Sequence, residues 1–544
     1  MNVLAGRHWL SALVLLCLFA LGLGQAWAQD ASASEAASSD QGPALLSALA
    51  ESSFRDKEAA IDAIAESGDE RARRWLESFA EGKLARVKDS GAIVVVLENR
   101  GRNWPVADAL TLEPAGEISR RELDRVSINN SLRGYLDSTL ALIDLRVDDP
   151  AQRLAAARDL LGEVEAEAVK SLGELAAAES DPEVAATLEQ AIAIARVEQG
   201  DVGAVEALSG SLNGQARAAL MQASRSDDVA LRDAAQAALA ESEQALKLNR
   251  AAETLYFGLS LGSVLVLAAI GLAITFGVMG VINMAHGELI MLGAYTTFVV
   301  QQIFPDGHEW SLLVALPAAF LVSALVGIVI ERGVIRFLYG RPLETLLATF
   351  GVSLILQQAV RVIFSPLNRS VVTPEWMSGA LQINPIFSLT YNRLYIIVFA
   401  LIVFFALQLV LKKTRLGLQV RAVSQNRGTA RAMGIRSERV NALTFGLGSG
   451  IAGVAGVALA QLTNVGPNLG QSYIIDSFMV VVFGGVGNLW GTLTAAFSLG
   501  IANKIIEPMA GAVLAKIMVL VFIILFIQRK PRGLFPQRGR AAEE

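Results

Sequence analysis

Residues 250–276 read RAAETLYFGLSLGSVLVLAAIGLAITF, and the charges stop at Glu253. From Leu255 to Phe276 there is no Asp, Glu, Lys or Arg. A run of that length, rising about 1.5 Å per helical residue, is enough to cross a hydrocarbon core of about 30 Å. The join near residue 253 therefore divides the chain into a half fit for water and a half fit for lipid.

Downstream, further apolar runs follow at Val278–Val300, Leu312–Ile330, Leu346–Phe364, Leu394–Leu411 and Leu443–Leu462. Beyond these come Ile474–Phe483, a break at Gly484-Gly485, Leu493–Ile506 and Val513–Ile527. The 474–506 stretch reads either as two short elements that enter and leave on one side or as two complete spans. Lipid leaves no water for unpaired backbone groups, so any break must sit inside a bundle or along a cavity. Gly446, Gly448, Gly450, Gly453 and Gly456 cluster on one run, as expected where transmembrane helices approach closely.

Charge orients the spans. Residues 30–253 hold 41 acidic and 24 basic side chains, and residues 254–544 hold 11 and 21. The overall charge of −6 averages these opposed halves. Basic residues gather in the 331–341 and 412–439 connections and again at Arg529, Lys530 and Arg532, which places these segments in the cytoplasm. The upstream half is then exported. Its acidic balance offers no footprint for nucleic acid.

The chain's first 28 residues read as a secretory signal: Arg7 and His8, an apolar run Leu10–Leu23, and the small-x-small site Ala26-Trp27-Ala28. Cys17, the one cysteine, would leave with it, which excludes disulfides and cysteine nucleophiles from the mature chain. Residues 29–42 read as a flexible leader and 43–250 as a periplasmic helical domain. Asp149-Pro150, Asp181-Pro182 and Asp228 each stand where an N-cap precedes a helical pattern. These units resemble HEAT-type repeats, and an ordinary helical bundle accounts for them equally well. Ile93–Leu97 interrupts the pattern as a strand and, with Trp104-Pro105-Val106, marks a small insertion. The carboxylates of this half read as solvated helix faces, and no catalytic constellation is present.

Polar groups at bilayer depth are the candidates for function. Asn283, His286, Gly287 and Glu288 lie in one apolar stretch, and Asp476, Gly484, Gly485 and Asn488 in another. The functional reading is a pathway or gate at a helix break; the structural reading is mutual hydrogen bonding that fixes a glycine-rich turn. No metal site is expected, because His286 has only His308 for company in this half.

Gly280-Val281-Ile282-Asn283-Met284-Ala285-His286-Gly287-Glu288-Leu289, the run Gly417-Leu418-Gln419-Val420-Arg421-Ala422 continuing to Gly434-Ile435, and the segment from Asp476 to Gly491 resemble the permease subunits of ATP-driven importers of the branched-chain amino acid and urea class. The likeness covers nearly all of 254–535. It implies an all-α, polytopic permease (254–528) with broken or re-entrant segments and a cytoplasmic tail (529–544). It implies an inner-membrane location, a homologous permease partner, two cytoplasmic ATPases and a periplasmic solute-binding protein. Arg421, Ala422, Asn426, Ala430, Gly434 and Ile435 would then form the ATPase-coupling segment. The chain has no phosphate-binding glycine loop of its own. No cofactor is expected on it, ATP being used by partner subunits. The long exported extension looks like the urea-type permease and makes urea the expected substrate. Branched-chain amino acids or short amides are the alternative, as is a membrane scaffold or sensor.

Overall fold

The computed structural model describes residues 42–535, apart from residues 55, 70, 100, 165–167 and 306. The expected signal segment, most of the leader and the end of the tail lie outside the described residues. The chain divides into two compact units that meet between Ala245 and Leu246.

The first unit opens with helices α1 (Gly42–Glu51), α2 (Lys57–Glu66) and α3 (Ala72–Ala80). Five strands follow: β1 (Leu84–Val87), β2 (Ile93–Val96), β3 (Asn103–Asp108), β4 (Pro114–Ser119) and β5 (Leu123–Arg125). They form one antiparallel sheet in the order β4-β3-β2-β1-β5, with Leu84 opposite Val95 and Val96 opposite Val106. The expectation of an all-helical domain is thereby corrected. Ile93–Val96 is a strand as expected, and the small insertion is a five-stranded sheet. Its outer strands, PAGEIS and LDR, are largely exposed and carry no alternating apolar pattern that a sequence reading could catch. Trp75 of α3 is fully buried and donates its ring N–H to the Ala109 carbonyl at 2.7 Å, tying helices to sheet.

Helices α4 (Asn130–Asp144), α5 (Pro150–Asp159), α6 (Val169–Ala178), α7 (Pro182–Glu198) and α8 (Gly214–Ala223) complete this unit with the start of α9 (Val229–Met279). The expected caps form: Asp149 accepts from Ala151 N–H at 3.0 Å, Asp181 from Glu183 N–H at 2.9 Å, and Asp228 from Ala230 N–H at 2.9 Å. Each satisfies a first-turn N–H that the helix itself cannot pair. Helices α4 to α8 range from 10 to 17 residues and share their unit with a sheet, so a uniform helical repeat does not describe it.

The second unit contains the rest of α9, then α10 (His286–Ile303), α11 (His308–Gly333), α12 (Pro342–Phe364), a hairpin of β6 (Ala380–Gln382) and β7 (Ser388–Thr390), and α13 (Tyr391–Lys413). Two short helices, α14 (Arg415–Gln425) and α15 (Arg427–Ala432), precede α16 (Ser437–Ala460), α17 (Leu469–Gly484), α18 (Leu489–Ala510) and α19 (Ala512–Arg529). Seven of the described helices are long and apolar enough to cross a membrane: α9, α11, α12, α13, α16, α18 and α19.

The helix ends gather on two faces. On the first, Tyr256 Oη donates to the Thr390 carbonyl, Gln301 Nε2 to the Val372 carbonyl and Trp376 Nε1 to the Glu309 carbonyl, and the backbones of Arg369 and Val465 pair. On the second, Val281 shares an apolar cluster with Ile335, the Arg427 guanidinium lies 4.5 Å above the Tyr339 ring, and Trp490 packs on Phe404 and Phe405 in the later half of α13. Helix α17 starts just after Val465 on the first face and ends beside Trp490 on the second; α18 returns. At the usual helical rise the 16 residues of α17 extend about 24 Å, less than a hydrocarbon core of about 30 Å, whereas α18 is one of the seven helices long and apolar enough to cross. The expected span at Val278–Val300 is instead a break at 280–285 followed by α10.

Candidate translocation site

The break between α9 and α10 is held by its own polar residues. Asn283 is fully buried, and its Oδ1 accepts from the Ala285 N–H at 3.0 Å, closing the turn that starts α10. His286, equally buried, donates Nε2–H to the Ala268 carbonyl of α9 at 2.9 Å. The Met284 N–H, left free by the break, donates to Thr349 Oγ1 at 3.1 Å. Non-helical backbone at this depth is tolerable because neighbouring groups pair it.

Gly287 faces Gly470 at the start of α17, where a Cβ would overlap the Gly470 carbonyl. The same close packing recurs where a Cβ on Gly293 of α10 would overlap the Gly453 carbonyl of α16. These contacts draw α10, α16 and α17 together and bring Glu288 into the bundle. Its side chain is 1% exposed. Oε1 accepts from Gln357 Nε2 at 2.7 Å and from Ser353 Oγ at 3.0 Å.

Both donors belong to α12, whose pattern the sequence reading passed over. Thr345, Thr349, Ser353, Gln357 and Arg361 recur every fourth residue. Residues four apart stand above one another on a helix, so these make one polar row. The buried residues of α12 are Thr345, Thr349, Ser353, Gln357 and Val360, whereas Leu347, Ile355, Val362 and Ile363 are exposed. The helix is apolar outward and polar inward, as suits a span with lipid on one side and a polar interior on the other. A period-four search for hydroxyl and amide residues inside apolar runs would have found it.

Asp476 is not gathered to Glu288. Its Oδ2 accepts from Lys516 Nζ of α19 at 3.2 Å. Gly484, Gly485 and Asn488 sit at the second face, against the tail. Leu534 N–H donates to the Phe483 carbonyl at 2.9 Å, Phe535 N–H to the Gly484 carbonyl at 3.1 Å, and Asn488 Nδ2 to the Phe535 carbonyl at 3.2 Å. Gly485 has φ +102°, and a Cβ there would press on the Phe535 carbonyl at 2.6 Å, so glycine is required twice over.

The 421–435 segment is α14 and α15, packed through Val420, Val423 and Ala430 onto Val440 of α16. Asn426 caps α15 by accepting from Thr429 N–H at 2.9 Å. Arg421 donates to the Leu411 carbonyl, and Ala422 and Ile435 line the apolar seam. Gly434, at φ +86°, turns the chain toward α16. The outward side carries Leu418 and Met433, which are 62% and 79% exposed.

The membrane bundle thus combines a broken helix, an inward polar row and a basic helix pair on one face. Residues 254–527 match the family described as the branched-chain amino acid transport system permease component. The chain belongs to that family. It is 30% identical over 286 residues to the high-affinity branched-chain amino acid transport system permease protein BraD of Pseudomonas aeruginosa, an alignment covering 51% of this chain and 93% of BraD. It is 29% identical over 293 residues to LivH of Escherichia coli K12, which has the same description, covering 52% and 94%. It is 28% identical to the ribose import permease protein RbsC of the same strain, over 44% of this chain and 74% of RbsC. No solved structure matches. The chain is thus a multi-pass permease component, itself not an enzyme and without a bound cofactor.

Proposed function

We propose that the chain is the inner-membrane permease of an ATP-driven importer for branched-chain amino acids. It would work with a second permease, two cytoplasmic ATPases and a periplasmic receptor. The observation that carries this reading is the polar row of α12 meeting Glu288 at a helix break, within a bundle related over nearly their whole length to permeases named for branched-chain amino acid transport. Thr345 through Arg361 would supply successive polar stations for a solute, with Glu288 at mid-depth. ATP-driven movement would enter through residues 421–435, whose basic charge favours the cytoplasmic face. The domain upstream, by the same rule, is periplasmic, and residues 1–28 are its export signal.

A second reading, urea import, has one observation in its favour: the folded unit of residues 42–245 lies outside the family match, which begins at residue 254. Uptake by proteoliposomes holding the complete complex and its receptor separates the two. Labelled leucine should enter only with ATP and be competed by isoleucine and valine, not by urea or acetamide. Urea uptake that leucine fails to compete would overturn the amino-acid reading in favour of urea.

A further inference from the structure

Several buried hydrogen-bonding groups around α10 have no partner among the described residues: Glu288 Oε2, the Tyr295 hydroxyl, both amide atoms of Gln461 and Arg369 Nε. Glu288, Tyr295 and Gln461 are 1%, 2% and 6% exposed. Folded chains rarely leave such groups unpaired, and those that remain call for an explanation. One carboxylate oxygen saturated by two donors beside a second with none is a half-built cation site.

A positive group stands near it. Arg361 Nη2 donates to Asn468 Oδ1 at 2.9 Å, and Gly287 packs on Gly470, so the guanidinium and Glu288 are held at the same short stretch that begins α17. Along α12, Arg361 lies one turn beyond Gln357, the residue bonded to Glu288, a step of about 6 Å. The surface alongside is aliphatic and aromatic. Val360, Leu469 and Met291 cluster with Tyr295, whose ring centroid is 4.8 Å from that of Phe364.

We propose that this ring is a substrate subsite for an α-amino acid zwitterion with a short branched side chain. The ammonium would donate to Glu288 Oε2, the carboxylate would turn to Arg361, and the side chain would lie on Val360, Phe364 and Leu469. An α-amino acid carries opposite charges on neighbouring groups, which suits a carboxylate bonded to Gln357 and a guanidinium one turn further along α12. Urea brings neither the charge pair nor the aliphatic group. This assignment rests on the amino-acid reading above and adds where and how the permease itself would select.

The test uses the detergent-purified complex of permease and ATPase chains, with the receptor omitted so that it does no selecting. Labelled leucine is bound and competed with isopentylamine, which lacks the carboxylate, or with 4-methylpentanoate, which lacks the ammonium. Glu288→Gln should weaken leucine binding at least tenfold and abolish competition by the amine while sparing that by the acid. Arg361→Gln should do the reverse. Glu288→Asp, which keeps the charge, should keep amine competition and so separates recognition from misfolding. Unchanged leucine binding in both Gln variants, equal loss of both competitors, or no leucine binding to the receptor-free wild type would each overturn the subsite. With the receptor restored, import of urea instead of leucine would remove the amino-acid reading itself. Leucine import alongside unaltered variants would remove the subsite alone.

Discussion

Gln357 donates its amide N–H to Glu288 at 2.7 Å, joining a span that is apolar outward to the first turn of a helix that begins inside the bundle. Sixty-nine residues separate the two in the chain. The pair links the break at 280–285 to the polar row of α12, so a change at either residue is felt at both.

Gln357→Leu should leave Glu288 with Ser353 as its one remaining donor. Loss of a hydrogen bond to a buried charged group costs about 1.5–3 kcal/mol, or roughly a tenfold to hundredfold effect. Leucine uptake should fall by that order at unchanged membrane abundance, whereas Ile355→Leu on the outward side of α12 should leave uptake unaltered. Equal uptake in Gln357→Leu and wild type would remove α12 from the pathway.

Gly287→Val should be poorly tolerated, because its Cβ would meet the Gly470 carbonyl and backbone cannot yield as a flexible side chain can. Overpacking of this kind costs about 1–3 kcal/mol or more. Fluorescence-detected size exclusion of the detergent-extracted protein should show a smaller, broader peak for Gly287→Val and a normal one for Gly351→Val, where nothing crowds the added carbon.

Leu418 and Met433 stand exposed on the outward side of the α14–α15 pair, while Ala430 is buried against α16. Leu418→Asp and Met433→Asp should each reduce transport-coupled ATP hydrolysis by the reassembled complex about thirtyfold, since an anchor at an interface centre can account for about 2 kcal/mol. Insertion and abundance should be normal. Ala430→Asp should instead lower abundance. Unaltered coupling in both exposed variants would exclude this surface as the ATPase contact.

Removal of residues 531–544 takes away the two backbone bonds that the tail makes to Phe483 and Gly484. The α17–α18 turn should then become more exposed: a cysteine placed at Val486 should react several-fold faster with a water-soluble maleimide in the truncated protein. Equal labelling rates would mean that the tail does not cover the turn.

In the first unit, Arg153 donates through Nε and Nη2 to both oxygens of Glu179, at 2.8 and 2.9 Å. The guanidinium, helped by the Asp181 and Ser180 N–H groups, holds this carboxyl down at about 2 from an ordinary 4.5. A depressed carboxyl stabilises the fold fully above about pH 4.5, and that contribution declines as pH falls from there toward 2. The melting temperature of full-length Glu179→Gln should lie below that of wild type at pH 6, and the gap should narrow between pH 5 and 3. A gap independent of pH would assign it to packing instead of charge.

Much of the membrane half was legible in the chain because lipid imposes a local rule: a span must carry its apolar residues consecutively. Leu255–Phe276 and Leu394–Leu411 announce themselves in that way. The polar cluster at the 280–285 break was legible too, since Asn, His and Glu in one apolar run are too costly to face lipid, although the run itself read as a continuous span. The polar row of α12 was less so: it is spread at single positions over 17 residues, among enough aliphatic side chains to keep the run hydrophobic. In the first unit, helix caps are local and were read correctly, whereas β1 and β4 owe their strand form to pairing with β2 and β3, and β5 to pairing with β1.

The sequence alone determined that this chain has two chemically opposed halves, that the second crosses a membrane repeatedly, and that its polar exceptions cluster at Asn283–Glu288. Each of these follows from residues that are neighbours in the chain. Only the tertiary structure decided that Glu288 meets Ser353 and Gln357, that Asp476 goes instead to Lys516, and that Gly485 receives the tail. Those choices depend on which helices approach closely enough to exclude a side chain. The approach is set at Gly287–Gly470 and Gly293–Gly453, pairs that are remote in sequence and meet only when the bundle closes.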